Sequence, residues 1–242
     1  MLKIGLLGYG VMGRLLDELS ESMDCKVVAK IDPVLGVELK RENLHEAEVV
    51  IDFSLGSCVV ENARQVCKWG KKIVVGATGF DLQELKKIKG DIIYASNFSV
   101  GVNLFMRVVE SAAKLFDKVK DYDVCGVEYH HRRKIDSPSG TAQNIAEVLL
   151  KNISSKKKLM LDRVEGRIKP DELHFASVRC GDIPGTHLID FDSTADTIEL
   201  RHTARNRKGF ALGALRAAKF LADNKGFYRF EDVFDEILGL QN

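Results

Sequence analysis

The chain has 242 residues, and its 36 Lys and Arg against 35 Asp and Glu leave a formal net charge of +1. With 45% hydrophobic and 29% charged residues it can bury a sizeable core, which excludes intrinsic disorder and fits one or two soluble globular domains. The charge balance excludes a general nucleic-acid binder, which carries a broad basic surplus, so any basic site must be local.

Short runs at 3–7, 26–31, 48–53, 72–75 and 91–94 are rich in Val and Ile and end on Gly, Pro, Asp or Ser, the marks of buried parallel strands. Between them, 12–21, 58–69 and 82–89 carry apolar residues at helical spacing. Strand and helix in alternation predict a doubly wound α/β sheet of the Rossmann type. Beyond Asn97 the rhythm changes: a helix is predicted over 103–116, a strand over 123–130 and a helix over 139–150. The run Ser154-Ser155-Lys156-Lys157-Lys158 reads as a solvated loop. Strands follow at 172–179, 186–191 and 197–202, with Gly181, Pro184-Gly185 and Ser193 as turn residues. Consecutive strands after one helix predict an α+β domain with an open mixed sheet. Helical patterns at 210–222 and 230–238 can return to cover the first sheet. The expected division is a discontinuous dinucleotide-binding domain, 1–98 with 207–242, and a substrate-binding and oligomerisation domain over 99–206.

No apolar run approaches the ~18–20 residues of a membrane span. The start, MLKIGLLGYG, is too short and too Gly-broken for a signal peptide, so a cytoplasmic protein without membrane contact is expected. Cys25, Cys58, Cys67, Cys125 and Cys180 form no C-x-x-C pair and are expected to be reduced, small buried hydrophobes. Neither they nor the six histidines show metal-ligand spacing, so no metal is expected.

Gly8-Tyr9-Gly10-Val11-Met12-Gly13 follows the first strand and opens a helix. Alone, G-x-G-x-x-G is weak, and a ligand-free turn is its plain alternative, but this is the context a dinucleotide site requires. The first glycine permits a tight turn, the second lets backbone approach a pyrophosphate, and the third lets helix and strand pack closely. Asp32 ends the second strand, roughly 20 residues on, where a carboxylate can take the ribose hydroxyls. That carboxylate repels a 2′-phosphate, and Pro33 stands where an Arg would receive one, with Arg14 and Lys30 in partial compensation. NADH is therefore expected to serve at least as well as NADPH. Two further loops end strands on the same sheet edge. Gly76-Ala77-Thr78-Gly79 suits passage along the cofactor backbone, and Ala95-Ser96-Asn97-Phe98 offers Asn97 as a carboxamide partner and Phe98 as a ring to pack on. Ordinary turn chemistry accounts for either loop equally well.

The most informative stretch is Glu128-Tyr129-His130-His131-Arg132-Arg133-Lys134-Ile135-Asp136-Ser137-Pro138-Ser139-Gly140-Thr141-Ala142. Five side chains from His130 to Lys134 can carry positive charge or hold a proton near neutral pH. The helix that follows points the N–H groups of Gly140 and Thr141 at any anion at its tip. Cationic groups facing such a tip make a clamp for a small dicarboxylate. A solvated charged face is the bland reading, and phosphate-backbone binding a further one, although only Tyr129 offers a stacking ring.

Together these segments resemble the 4-hydroxy-tetrahydrodipicolinate reductase family, formerly called dihydrodipicolinate reductase, of bacterial lysine and diaminopimelate synthesis. The resemblance spans nearly the whole chain. It also takes in Asp52-Phe53-Ser54, Ser99-Val100-Gly101-Val102-Asn103, Arg179-Cys180-Gly181-Asp182-Ile183-Pro184-Gly185, His202-Thr203-Ala204-Arg205-Asn206-Arg207 and Phe210-Ala211-Leu212-Gly213-Ala214. The E-x-H-H-x-x-K-x-D-x-P-S-G-T segment is its most specific part. The resemblance implies His130 as proton donor and acceptor, Lys134 as proton donor, His131 as a substrate contact and Gly140–Thr141 as the carboxylate-binding turn. It implies nucleotide contacts at the glycine loop, Asp32, Gly76, Ala77, Thr78, Ala95, Ser96, Asn97 and Phe98, with Arg207 and Phe210 reaching the cofactor across a domain cleft that closes on its ligands. A homotetramer built through the second domain's sheet is implied as well. Ser96 departs from a usual proline, Ser137 from alanine, and Cys180 and Thr186 from the common Gly and Glu. The glycine loop lacks the basic residue often found beside Met12, which agrees with Asp32 in disfavouring NADPH.

The implied reaction is NADH- or NADPH-dependent reduction of 4-hydroxy-tetrahydrodipicolinate, a cyclic dicarboxylate, to tetrahydrodipicolinate with loss of water. Another nicotinamide dehydrogenase acting on an amino or semialdehyde acid, and a non-catalytic dinucleotide sensor, are the rival readings. Neither gives a reason for Lys134 beside an anion-binding turn.

Overall fold

The structure is a computed structural model that describes residues 1–161 and 163–240. In chain order its elements are β1 (Leu2–Leu7), α1 (Val11–Ser20), β2 (Cys25–Ile31), β3 (Val49–Asp52), α2 (Gly56–Lys68), β4 (Lys72–Val75), α3 (Leu82–Lys86) and β5 (Ile92–Tyr94). Then come α4 (Val100–Phe116), β6 (Asp123–His130), α5 (Gly140–Asn152), β7 (Lys158–Met160), β8 (Glu172–Arg179), β9 (Thr186–Asp192), β10 (Thr197–Thr203), α6 (Lys208–Asp223), β11 (Phe227–Arg229) and α7 (Phe234–Leu238). The chain divides into two compact units, Met1–Val100 with Arg207–Asn242, and Gly101–Asn206. Gln241 and Asn242, at the end of the span expected over 207–242, lie outside the described residues, as does Asp162.

The first unit is an all-parallel sheet in the order β11-β5-β4-β3-β1-β2. Its strands are continuous apolar runs because both faces are covered. Ile4, Leu6, Val49, Ile51, Val74 and Ile93 share one core with residues of α1, α6 and α7, while Val50, Ile73, Val75 and Ile92 share the other with α2 and α3. The chain starts at β1, steps outward to β2, then crosses back to β3. The carboxyl ends of β1 and β3 therefore form the switch point at which folds of this kind bind ligands. Small residues let α6 lie close to the sheet: a Cβ at Gly213 would stand 1.8 Å from the Phe98 carbonyl oxygen. Lys72 Nζ caps the end of that helix, donating to the carbonyls of Leu221, Ala222 and Asn224 at 2.9, 2.7 and 3.1 Å.

The second unit is an open mixed sheet in the order β10-β9-β6-β8-β7, with β8 parallel to both β6 and β7 and the other pairs antiparallel. Alternation along β6 places Val124, Gly126, Glu128 and His130 on the buried side. There Val124, Phe175, Ile189 and Phe191 pack beneath Phe105 and Val109 of α4 and Ile145 and Leu149 of α5.

Several expectations are corrected. The 154–158 run is largely the exposed loop expected, but Lys156 and Lys158 depart from it. Lys156 is 3% exposed, with Nζ donating to the carbonyls of Pro170 and Glu172 at 3.0 and 2.9 Å and pairing with Asp123, and Lys158 opens β7. The cause is register, since β7 needs that segment beside β8 and the ammonium is paired rather than hydrated. The final helix begins at Phe234 rather than Phe230, which is core, and β11 precedes it. Of the cysteines only Cys25 is fully buried. Cys67 on α2 and Cys125 on the less buried face of β6 are half-buried, and Cys58 on α2 and Cys180 in a loop are exposed. Burial still pushes the Cys67 thiol up to about 11.

Candidate active site

In the first unit β1 delivers the chain to Gly8 at the switch point. Gly8 adopts φ +84°, and a Cβ there would stand 2.7 Å from the Phe53 carbonyl oxygen. A Cβ on Gly13 would come within 2.3 Å of the Gly8 carbonyl, so the third glycine lets α1 start against the loop. Gly10 differs: a Cβ there meets no atom within 4 Å. The protein's own packing does not require glycine at that position, whereas a pyrophosphate resting on the backbone does. The amino end of α1 has no side-chain cap and no acid in its first turn, Val11 is exposed and Met12 half-buried. These features fit a dinucleotide phosphate.

Asp32 is tied to this loop. Its Oδ2 accepts the Tyr9 N–H at 2.6 Å and its Oδ1 the Val34 N–H at 2.8 Å, and these bonds hold its carboxyl below the usual range. An ionised carboxylate can accept about four hydrogen bonds, so capacity for ribose hydroxyls remains. Lys30 Nζ pairs with Asp17 at 2.7 Å and lies 4.9 Å over the Tyr9 ring, and the Tyr9 hydroxyl donates to Asp17 as well. The expected compensation of Asp32 by Lys30 is thus spent on Asp17.

At the neighbouring strand ends, Asp52 is fully buried and its carboxyl is pushed up by burial. Its Oδ1 accepts the Ser54 N–H at 2.8 Å, its Oδ2 the Asn62 amide at 2.9 Å, and its carbonyl the N–H groups of Gly76 and Ala77. Gly76 lies under the Phe53 ring, where a Cβ would fall 2.3 Å from it, so packing within the protein also demands this glycine. Thr78 beyond it is exposed and Ala77 buried. In the next loop Ala95 is buried, Ser96 exposed, and Asn97 accepts the Ser99 N–H at 2.8 Å. Phe98 is a correction: it is 1% exposed, with its ring 4.8 Å from Phe230 and 6.4 Å from Phe53, so it is core rather than a platform for a ligand ring. The first turn of α6, with exposed Arg207 and half-buried Phe210, comes beside this loop through Gly209 and Ser99 and beside α1 through Lys208 and Glu18.

In the second unit Glu128 organises the site. It is fully buried, and its Oε1 accepts from the Ser139 N–H at 2.9 Å, Ser177 Oγ at 2.8 Å and Arg179 Nη2 at 2.9 Å. Its Oε2 lies 2.8 Å from His130 Nδ1, off the ring's N–H axis, a close charge contact without the alignment of a full hydrogen bond. Burial pushes the Glu128 carboxyl up, but contacts with His130, Ser139 and Ser177 outweigh it and hold the group well below the carboxylate range. The His130 ring meets His187 edge-on at 5.4 Å. Burial, then the charge of His130, pull His187 down to about 4, so it stays neutral.

The loop after β6 returns over this carboxylate. Lys134 Nζ pairs with Asp136 at 2.8 Å, Arg179 Nη2 donates to the Asp136 carbonyl at 2.7 Å, and Arg133 pairs with Asp182 at 2.6 Å. The five-residue cationic clamp is therefore divided: His130 belongs to the buried end of β6, Arg133 is neutralised outside, and Lys134 is held half-buried beside Asp136. His131 is half-buried, and its carbonyl accepts the Lys134 N–H at 3.0 Å. Ser139 caps α5, its Oγ accepting the Ala142 N–H at 3.2 Å, which leaves Gly140 at the exposed tip with Thr141 beside it. Lys134 is close enough for its charge to act on His187, so His130, His187, Lys134 and the α5 tip occupy one neighbourhood. Sequence reasoning gave no role to Glu128, Ser177, Arg179 or His187. The signal was present for Glu128, because an acid two residues before His130 on an alternating strand must share its buried face.

A parallel sheet with a glycine-lined switch point, joined to a mixed-sheet unit whose helix tip meets a buried Glu–His pair and a lysine, defines a two-unit nicotinamide-dependent oxidoreductase. The N-terminal signature of dihydrodipicolinate reductase matches residues 2–98 and the C-terminal signature residues 101–234. A 4-hydroxy-tetrahydrodipicolinate reductase of Christiangramia forsetii is 38% identical over 242 residues, covering 98% of this chain and 99% of the relative. One of Archaeoglobus fulgidus is 38% identical over 201 residues, 78% of this chain and 77% of its own. A solved dipicolinate-bound dihydrodipicolinate reductase from Paenisporosarcina sp. TG-14 shares the fold at TM-score 0.78 and 24% identity, covering 96% of this chain and 99% of that one. The chain belongs to the dihydrodipicolinate reductase family and is a reductase of lysine and diaminopimelate biosynthesis.

Proposed function

We propose that the protein reduces 4-hydroxy-tetrahydrodipicolinate to tetrahydrodipicolinate, using NADH at least as well as NADPH. The observation that carries this reading is that the buried Glu128 carboxylate holds His130 and the head of α5, while Lys134, paired with Asp136, lies within charge range of the neighbouring His187. A ring with two carboxylates needs cationic and N–H grips, and both kinds are present. Gly140, Thr141 and His131 hold a carboxylate of the substrate, and Lys134 exchanges Asp136 for it. Gly8–Gly13, Asp32, Gly76–Thr78, Ala95–Asn97, Arg207 and Phe210 hold the dinucleotide in the first unit, with Phe98 contributing backbone only.

When bound, the nicotinamide supplies a hydride to the electron-poor conjugated C=N system of the ring. The protein's own task is to place the ring and to return a proton as charge builds on its nitrogen. His130 and Lys134 are the two donors within reach of that task, and such proton transfer is worth about 10²–10⁴-fold. Asp32 favours NADH because a 2′-phosphate would meet an ionised carboxylate with Lys30 already paired to Asp17. Among the described residues no helix is long and apolar enough to cross a membrane. The face of the second sheet turned away from α4 and α5 carries Val127, Tyr129, Ala176 and Val178, which suits assembly of a homotetramer.

The deciding assay follows NADH oxidation with substrate generated freshly by the preceding synthase. Stoichiometric oxidation is expected; none with this substrate, alongside turnover of an open-chain amino or semialdehyde acid, overturns the reading.

A further inference from the structure

The carboxylate of Glu128 is fully buried and heavily committed. Three donors from three places, the Ser139 N–H at the head of α5, Ser177 on β8 and Arg179 at the end of β8, all converge on Oε1. This fixes the carboxylate plane and aims Oε2 at the His130 ring, 2.8 Å from Nδ1. An ionised carboxylate only accepts, so even without full hydrogen-bond alignment its charge favours the proton on the Nδ1 beside it over one on Nε2. On the other edge of the ring, Nε2 faces Gly185, where a Cβ would stand 2.9 Å away. A side chain at Gly185 would therefore press on that edge, and its φ of +148° is one that L side chains rarely adopt.

Glu128, His130 and His187 also bring donor atoms within 4.8 Å of one another, the arrangement of a possible ion site. Two donors around a common tetrahedral zinc stand about 3.3 Å apart. The 2.8 Å between Oε2 and Nδ1 is shorter, and the Arg179 guanidinium already occupies the other carboxylate oxygen. Direct pairing of acid and ring accounts for the geometry better than an ion between them.

We propose that Glu128 is the positioning residue of this site: its carboxylate holds the His130 ring with Nδ1 protonated and Nε2 presented past Gly185 to the substrate, while fixing the anion-binding head of α5 through Ser139. The inference rests on His130 as a proton-exchanging group. One carboxylate then sets both the proton donor and the carboxylate grip, so neither moves independently of the other. The titratable neighbours of the ring are Glu128 on its own strand and His187 from β9; the charges of His202 from β10 and Lys134 from the loop reach His187, and Arg179 from β8 reaches the pair through Glu128 and the Asp136 carbonyl. Only Glu128 touches Nδ1. The Arg179 charge is shared with Glu128 Oε1 and the Asp136 carbonyl, and that of Lys134 with the Asp136 carboxylate.

The test is nitrogen-resolved NMR of the histidine rings of the full-length, ligand-free protein across pH, with activity measured in parallel. In the wild type, the neutral His130 ring is expected as the Nδ1–H tautomer. In Glu128→Gln, which keeps the side-chain volume, the ring should lose its preference for the Nδ1–H tautomer, because the carboxylate that favours that proton is gone, and kcat should drop on the order of 10²-fold while NADH affinity stays unchanged. Glu128→Asp, which retains the carboxylate, should restore the tautomer more than the rate. An Nε2–H tautomer in the wild type overturns the proposal without any variant, as does a folded Glu128→Gln protein whose His130 keeps the Nδ1–H tautomer as before. Should His130 prove dispensable, His130→Ala turnover reports it separately, and the ring measurement still decides what Glu128 does.

Discussion

Lys134 and His130 reach the site by different routes, and their replacement should be read accordingly. His130 is nearly buried at the end of β6 against Glu128, whereas Lys134 is held by one exposed carboxylate, Asp136. Each truncation to Ala is expected to lower kcat on the order of 10²-fold or more. Dinucleotide binding should persist in both, because the residues assigned to it lie in the other unit. Steady-state rates with a fluorescence titration of NADH check this, and near-normal turnover in both variants would remove them from the chemistry. Asp32 makes the second residue-scale prediction. With Oδ1 and Oδ2 each taken by one backbone N–H and Lys30 paired to Asp17, the pocket has an anion and no nearby uncommitted lysine from β2 to meet a 2′-phosphate. The ratio of kcat/KM for NADH over NADPH is expected at one or above. Asp32→Ser should lower it about tenfold, and a strong wild-type preference for NADPH would defeat the argument.

At the scale of elements, the pairing of β6 with β9 places His187 directly opposite Glu128, beneath the cap of α5. His187 is pulled down to about 4 in the fold, against about 6.5 in an unfolded chain. Between those values the unfolded state takes up a proton that the folded state refuses. The stability this provides is complete above pH ~6.5 and is lost as pH falls toward 4, up to about 3 kcal/mol. Glu128 acts lower: its folded value lies below its unfolded one near ~4.3, so its contribution fades only in stronger acid. Melting temperatures between pH 7 and 4 should therefore drop in the wild type and flatten in His187→Gln, and equal slopes in the two would contradict the assignment. The strands of the first unit were legible because burial on both faces writes them as apolar runs, and the glycine loop because Gly8 and Gly13 are demanded by clashes of 2.7 and 2.3 Å. Elements β7 and β11 are three residues each, too short for a periodic signal, and they are fixed by pairing with β8 and β5. Lys156 looked solvated because sequence shows a charge without the carbonyls of Pro170 and Glu172 that receive it. Phe98 read as a ligand platform because its partner rings lie distant in sequence, at Phe53 and Phe230. His130, Lys134 and Gly140 were visible as residue types at a spacing. The carboxylate that organises them was visible only as a neighbour on the same strand face.

At the scale of the whole molecule, the two sheets of the chain treat their surfaces differently. The parallel sheet of the first unit has helices on both faces, whereas α4 and α5 cover one face of the mixed sheet. Its other face is defined by register, with Val127 beside Ala176 and Leu188, and Tyr129 beside Val178 and Thr186. Val178 is 38% exposed. The apolar strip of Val127, Tyr129, Ala176 and Val178, which shares this face with Asp190, Glu199 and Arg201, gains from burial against a like surface at roughly 25 cal/mol per Å², and a closed assembly of identical copies satisfies every such strip at once. A homotetramer is therefore expected in sedimentation at micromolar concentration. Val178→Glu places a carboxylate where each copy would bury it, at a cost of roughly several kcal/mol per contact, and should yield smaller species. Because Val178 lies on β8 next to Arg179, which holds Glu128, the same variant separates two ideas about what the expected assembly would do. If assembly only adds stability, the dissociated variant retains its kcat and melts earlier. If assembly holds β8 in place for the site, kcat falls with the mass while NADH binding persists, and a wild type that sediments as a monomer with full activity removes both.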